Sequence, residues 1–223
     1  MRTAEQIASE TSARRAEIGR EVAAALQRNG AQEAAGRGLS IWFVEDFMDA
    51  ADQAFLIDCI EANRQPSILL SDRPEQSFRT SESGNLDRWD DHVRAIDQRI
   101  CALMGLGEDQ GETMQGQRYA PGQYFRAHHD WFHTDQGYWA EQQKTGGQRT
   151  WTAMIYLNAP GSGGETAFDA AGLLVPAKPG LLIAWNNMDA NGAPNLYSSH
   201  EGREVGAGTK YVVIKWFREG NWV

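Results

Sequence analysis

From Thr113 to the C-terminus the chain breaks into short runs of β-branched and aromatic residues separated by Gly and Pro, and this texture constrains the fold most. The runs are Gln115–Ala120, Gln123–Phe132, Arg149–Asn158, Leu173–Val175, Gly180–Trp185 and Thr209–Arg218. Each has strand length and no helical periodicity separates them, so they predict an antiparallel sandwich or barrel. The first third differs. Ile18, Val22 and Leu26 recur at helical spacing until Gly30. Asp49 is placed to cap a helix over residues 50–63, with Phe55, Leu56, Cys59 and Ile60 on one stripe. Another helix carries Val93, Ile96, Ile100 and Leu103 and stops at Gly105. The reading is mainly β with flanking helices (α+β). A helical extension over residues 1–38 precedes one domain over 39–223, whose β core is covered on one sheet by the N-terminal helices.

A chain of 223 residues buries one sizeable core. The net charge of −9 argues against a nucleic-acid backbone as partner, since such binders carry a basic patch. No apolar run reaches the length of a membrane span. The first 29 residues lack the apolar centre of a secretory signal. Cys59 and Cys101 sit in apolar-periodic segments and read as reduced, buried thiols, so a cytoplasmic location is expected. Oligomeric state is left open. Ser71–Asp90 and Trp131–Gln148 read as long polar loops, candidates for lids that carry specificity.

Candidate chemistry starts from the histidines: His92, His128, His129, His133 and His200. His92 begins a predicted helix and reads as a surface residue. In a strand, residues i and i+2 share a face, so His-x-Asp sets an imidazole beside a carboxylate. That is two thirds of a 2-His-1-carboxylate triad, which leaves positions open on a metal. His128 and Asp130 end a strand-like run, whereas His133 and Asp135 fall in a loop that would hold ligands poorly, so the first pair is preferred. By parity His129 faces away. On the last run, period 2 puts Lys210 on one apolar face with Val212, Ile214 and Trp216, and Tyr211, Val213, Lys215 and Phe217 on the other. An inward ammonium is costly unless an anion pairs with it; the bland alternative is a lysine that snorkels at the strand mouth. Trp185 and Trp216 read as core.

The run from Arg118 through Tyr119, Pro121, Gly122, Gln123, Tyr124, His128 and Asp130 resembles the prolyl 4-hydroxylase branch of the 2-oxoglutarate/Fe(II) dioxygenases. The resemblance continues through Arg149–Asn158 and Gly163–Phe168, and ends in the segment from His200 to Lys210, ten residues apart. It covers roughly Val44 to Phe217; Trp131 and the stretch from Phe132 to Gln148 depart from the pattern. The resemblance implies a double-stranded β-helix (jelly-roll) whose mouth holds Fe(II) on His128, Asp130 and His200. Lys210 would pair the far carboxylate of 2-oxoglutarate, with Thr152 and Tyr119 adding hydroxyl donors. With O2, the co-substrate would leave as succinate and CO2 while a C–H of the substrate is hydroxylated, and ascorbate is admitted as an auxiliary reductant. A prolyl residue in a peptide or protein is the first substrate class, with Arg79, Trp131 and Arg149 as contacts. A free amino acid or other small molecule is the second. A cupin-like metal-binding module without activity is the third, and Lys210 speaks against it.

Overall fold

The computed structural model describes residues 3–34, 36–68 and 77–222; residues 71–76 of the expected first loop lie outside the described residues. Its helices are α1 (Ala4–Ala8), α2 (Ala13–Arg28), α3 (Ala50–Asn63), α4 (Asp91–Met104) and α5 (Trp139–Lys144). The strands of the first half are β1 (Gln32–Glu33), β2 (Ile41–Val44), β3 (Gln65–Pro66), β4 (Glu82–Asn85), β5 (Gln115–Tyr119), β6 (Phe125–His128) and β7 (Arg149–Tyr156). They are followed by β8 (Ser162–Gly163), β9 (Thr166–Phe168), β10 (Leu173–Val175), β11 (Leu182–Asn186), β12 (His200–Gly202), β13 (Val205–Ala207) and β14 (Lys210–Arg218). The major sheet runs β1-β2-β11-β7-β14-β5-β4-β3, and the minor sheet β10-β9-β12-β6. The pairings are antiparallel, as the alternation of short runs predicts. Together they make a jelly roll.

The two faces of the major sheet are buried differently. Toward the minor sheet, Met154, Tyr156, Ile183, Trp185, Val212, Ile214 and Trp216 pack with Phe168 and Val175. On the other side, Trp151, Ile155, Val213 and Phe217 pack against Ile18, Val22 and Leu26 of α2, Leu56 and Ile60 of α3, and Ile96 and Ile100 of α4. The helices thus cover one sheet, and the period-2 reading of β14 holds residue by residue.

Helix limits follow from their caps. Asp49 accepts from the Asp52 N–H, and Asp90 from His92 and Val93 N–H. Gly105, at φ 67°, ends α4 in the left-handed region that glycine enters at little cost. Cys101 is buried, which pushes its thiol up to about 12, while Cys59 is only half-buried because it lies at the edge of its stripe. His92 is partly exposed and contacts Asp52 at 2.7 Å. Two expectations need correction. Trp131–Gln148 is not wholly a loop, since it contains α5; Ser71–Asp90 includes β4, which pairs with β5. No described helix is long and apolar enough to cross a membrane.

Candidate metal centre and its cleft

His128 closes β6 and His200 opens β12, and these two strands pair with His128 opposite His200. Sheet register, not sequence proximity, brings the two imidazoles together, with ring centroids 4.3 Å apart. Asp130 lies beyond the end of β6, and its Oδ1 is 3.8 Å from His128 Nε2 and 3.9 Å from His200 Nε2. One ligand atom from each residue falls within 4.8 Å of the others, and this is the one such group among the described residues. Nδ1 of His128 faces the Arg126 carbonyl at 2.8 Å and Nδ1 of His200 faces the Ser198 carbonyl at 2.9 Å. Each Nδ1–H is thereby spent on a carbonyl, which leaves both Nε2 lone pairs for a metal.

The strand does not hold Asp130; a hydrogen-bond chain does. Thr152 Oγ1 donates to Asp130 Oδ2 at 2.7 Å, and Asn187 Nδ2 donates to Thr152 Oγ1 at 2.9 Å. Burial pushes the Asp130 carboxyl up, but His200, His128, Arg149 and the Thr152 hydroxyl outweigh it and keep the group below its usual range. It is therefore the anionic ligand. His128 is held well below the usual imidazole range by burial and by His200, which keeps its ring neutral. Two imidazole nitrogens and a carboxylate oxygen form a mixed N/O set that fits Fe(II) and leaves open positions.

Thr152 is the clearest correction. It was expected beside Lys210 on the inward face, and the face is right. In the register of β14 with β7, however, Trp216 opposes Thr152 and Val212 opposes Tyr156. Thr152 thus sits four residues, roughly 13 Å, along the strand from Tyr156, and Tyr156 is the β7 residue beside Lys210. The Lys210 ammonium lies 5.2 Å from the Tyr119 ring and 5.4 Å from the Tyr156 ring. Tyr119 of β5 pairs with Lys210 across the sheet, and its hydroxyl donates to Gln117 Oε1 at 2.7 Å.

Lys210 does not snorkel. It is 2 % exposed, and burial lowers its pKa to about 7 against the opposing pull of Glu165. Among the described residues no carboxylate comes within ion-pair distance of it. Gly164, at φ 78°, brings the chain so close that a Cβ there would meet Lys210 Cδ at 3.2 Å. A buried ammonium lacking a counter-charge, between two aromatic rings, fits a carboxylate ligand such as the far end of 2-oxoglutarate.

A cleft of about 760 Å³ opens beside the metal group. Arg79, Trp131 and Arg149, the three expected substrate contacts, all line it with His128 and Asp130. The lining also includes Phe78, Phe125, Phe132, Tyr138 and Trp222, which the sequence does not single out, and Trp216, which it reads as core. Trp216 is both core and wall: it shares the inward face with Lys210, the signal that could have found it. Arg149 is fixed bidentately by Glu112, at 2.6 and 2.7 Å, and its guanidinium lies 4.0 Å from the Trp216 ring. Arg79 donates to Ser81, Ser83 and Gln115 and lies 4.7 Å from the Phe125 ring, with no carboxylate partner among the described residues. His129 is no member of the metal group, as parity predicted, yet it and His133 line the cleft because β6 ends at His128.

A family model described as the 2OG-Fe(II) oxygenase superfamily matches residues 114–218. Prolyl 4-hydroxylase 1 of Arabidopsis thaliana is 32% identical over 141 residues, which span 57% of this chain and 48% of that protein. A putative prolyl 4-hydroxylase of Acanthamoeba polyphaga mimivirus is 31% identical over 146 residues, 65% of this chain and 60% of that one. The chain thus spans about half to three-fifths of these relatives. Among solved structures, the viral collagen prolyl hydroxylase of Paramecium bursaria Chlorella virus-1, in its 2OG complex, superposes with a TM-score of 0.61 at 23% identity. That match covers 80% of this chain and 95% of the viral one. A Trichoplax adhaerens prolyl hydroxylase in complex with a hypoxia inducible factor peptide fragment also gives a TM-score of 0.61, at 12% identity, covering 98% and 94%. These likenesses give the fold, and the sequence matches make the chain similar to prolyl 4-hydroxylase-like oxygenases.

Proposed function

We propose that this chain is a prolyl 4-hydroxylase-like, iron(II)- and 2-oxoglutarate-dependent dioxygenase that acts on a prolyl residue in a peptide or protein. The observation that carries the reading is the pairing of an open two-histidine, one-carboxylate group with a buried lysine that has no carboxylate partner among the described residues and faces the same inter-sheet core. A metal-binding module without activity has no use for Lys210. His128 Nε2, Asp130 and His200 Nε2 would hold the iron, and Lys210 with Tyr119 would hold the far carboxylate of 2-oxoglutarate. When bound, these groups supply oxidative decarboxylation of the co-substrate by O2 together with hydroxylation of a nearby C–H. The chain's own residues do the rest. The Thr152–Asn187 chain fixes the orientation of Asp130. The aromatic wall excludes water and offers flat faces to a pyrrolidine ring. Arg79 and Arg149 present donors to the substrate backbone, and Glu112 keeps Arg149 in place.

An extended substrate fits the cleft's size and its several aromatic faces better than a free amino acid does. The test is mass spectrometry of a proline-containing peptide library incubated with the protein, Fe(II), 2-oxoglutarate and O2. The expected product carries the mass of one added oxygen on proline, dependent on Asp130. Oxygen found only on a free amino acid would move the reading to small molecules.

A further inference from the structure

Ile7 of α1 packs with Trp131 and Met188 in a buried cluster separate from the two main cores. Its two partners are not ordinary core residues. Trp131 follows Asp130 directly and forms part of the cleft wall. Met188 follows Asn187, the residue that donates to Thr152 and through it steadies Asp130. Other tethers join the same segment to the same loops. Glu10 accepts from the Thr134 hydroxyl at 3.3 Å, and the Ser12 N–H donates to the Asn191 carbonyl at 3.1 Å. Arg15, at the start of α2, donates to the Gly192 carbonyl at 2.6 Å and to the Glu10 carbonyl, and pairs with Glu219 at 3.4 Å. The Trp131 indole N–H in turn donates to the Asn195 carbonyl at 3.3 Å, so the tryptophan is gripped from two sides.

We infer that residues 3–12 are a strap that positions the Trp131 wall of the cleft, with Ile7 as the positioning residue. The family model matches residues 114–218, so the strap lies outside the matched segment. Packing is the physical basis. The single N–H bond to Asn195 leaves the indole free to tilt about it, and close packing by an apolar neighbour removes that freedom within the loop that carries it. Ile7 supplies that neighbour, and the Glu10 and Ser12 contacts keep Ile7 in place. The strap packs on Trp131 of the cleft wall, whereas Lys210 lies between Tyr119 and Tyr156, so the strap should tune how substrate is held and leave the co-substrate anchor alone. This inference rests on the oxygenase reading for its kinetic consequence, though not for its structural one.

Hydrogen exchange by mass spectrometry on the full chain separates the two. In Ile7→Ala, amides over residues 129–135 and 187–195 should exchange faster, on the order of tenfold, while residues 115–119 and 210–216 keep wild-type rates. Ile7→Val should return the loops toward wild type. In turnover, Ile7→Ala should raise the peptide KM on the order of tenfold, which corresponds to about 1.4 kcal/mol, with the 2-oxoglutarate binding midpoint unchanged. Uniform acceleration across the chain, or unchanged exchange over 129–135, overturns the strap. If the wild-type protein hydroxylates no peptide, the oxygenase reading fails by itself, and the exchange pattern alone decides the strap.

Discussion

Two lysines on β14 are both buried, Lys210 at 2 % and Lys215 at 1 % exposure, yet they stand in opposite chemical positions. Five residues apart, they face opposite sides of the sheet. Lys215 points to the helical layer, where Asp97 of α4 meets it at 2.7 Å through Oδ1 and 2.9 Å through Oδ2. Lys210 points into the jelly roll, where two tyrosine rings flank it and, among the described residues, no carboxylate reaches ion-pair distance. A paired buried charge is a finished piece of structure. An unpaired one is an unfinished piece, and the protein bears that cost only where something completes it. The metal group lies on the unfinished side, which is why the two sides of one sheet should respond so differently to mutation.

The largest effects belong to the metal group itself. His128→Ala, Asp130→Ala or His200→Ala should each abolish peptide-dependent succinate release and weaken Co(II) binding measured by titration. His129→Ala should leave Co(II) binding near wild type. Were His129→Ala to lose the metal and His128→Ala to keep it, the side of β6 assigned to the site would be wrong.

The lysines come next. Lys210→Ala should lower 2-oxoglutarate affinity about a hundredfold or more, the size expected when one partner of a buried pair is lost. Its melting temperature should hold or rise, because the free protein loses an unpaired buried charge. Lys215→Ala should do the reverse. It strands Asp97 in the helical core, so unfolding free energy should fall by about 3–5 kcal/mol in urea titration, with 2-oxoglutarate affinity unchanged. Equal stability losses in the two variants would erase the contrast.

A smaller effect tests the chain behind Asp130. Thr152→Val keeps the shape of the side chain and removes the donor, so metal affinity should drop about 10–100-fold while Lys210 keeps its ligand. If 2-oxoglutarate affinity fell first and metal affinity held, Thr152 would belong to the co-substrate after all.

Legibility from sequence followed element length and range. Long alternating runs such as β7 and β14 declare their two faces, so the alternation alone puts Lys210 on an apolar face with Val212, Ile214 and Trp216. The cap Asp49 and the stop at Gly105 are local chemistry, and they were readable for that reason. β8, β9, β12 and β13 are two or three residues each, too short to show a period. His200 was therefore assigned through family likeness, without its strand. Thr152 was misplaced because its role depends on the register between β14 and β7 and on a carboxylate 22 residues away in sequence. The same holds for Glu112, which holds Arg149 across 37 residues, and for Trp222, which reaches the cleft from the C-terminal end. Side-chain faces are a property of one strand, whereas partners are a property of the whole sheet.

The finest test of the two lysines is a proton count. Burial lowers the free-protein pKa of Lys210 to about 7, below its value in an unfolded chain. Between pH 7 and the ordinary lysine pKa the unfolded chain holds a proton that the native chain lacks, so this group makes stability rise with pH across that window. A carboxylate brought against Lys210 raises its pKa again. Above pH 7 the binding of 2-oxoglutarate must therefore take up a proton, and affinity should fall with rising pH, by at most about tenfold per pH unit. Below pH 7 the amine is already charged and the dependence disappears. Calorimetric titration of 2-oxoglutarate into Mn(II)-loaded protein at pH 8, repeated in buffers of different ionisation enthalpy, counts the proton directly. The expected uptake is on the order of one proton per site, absent in Lys210→Ala and retained in Lys215→Met. Zero uptake in the wild type would mean that Lys210 is charged before the ligand arrives, held by Glu165 as Lys215 is held by Asp97, and the two lysines would differ only in which layer they stabilise.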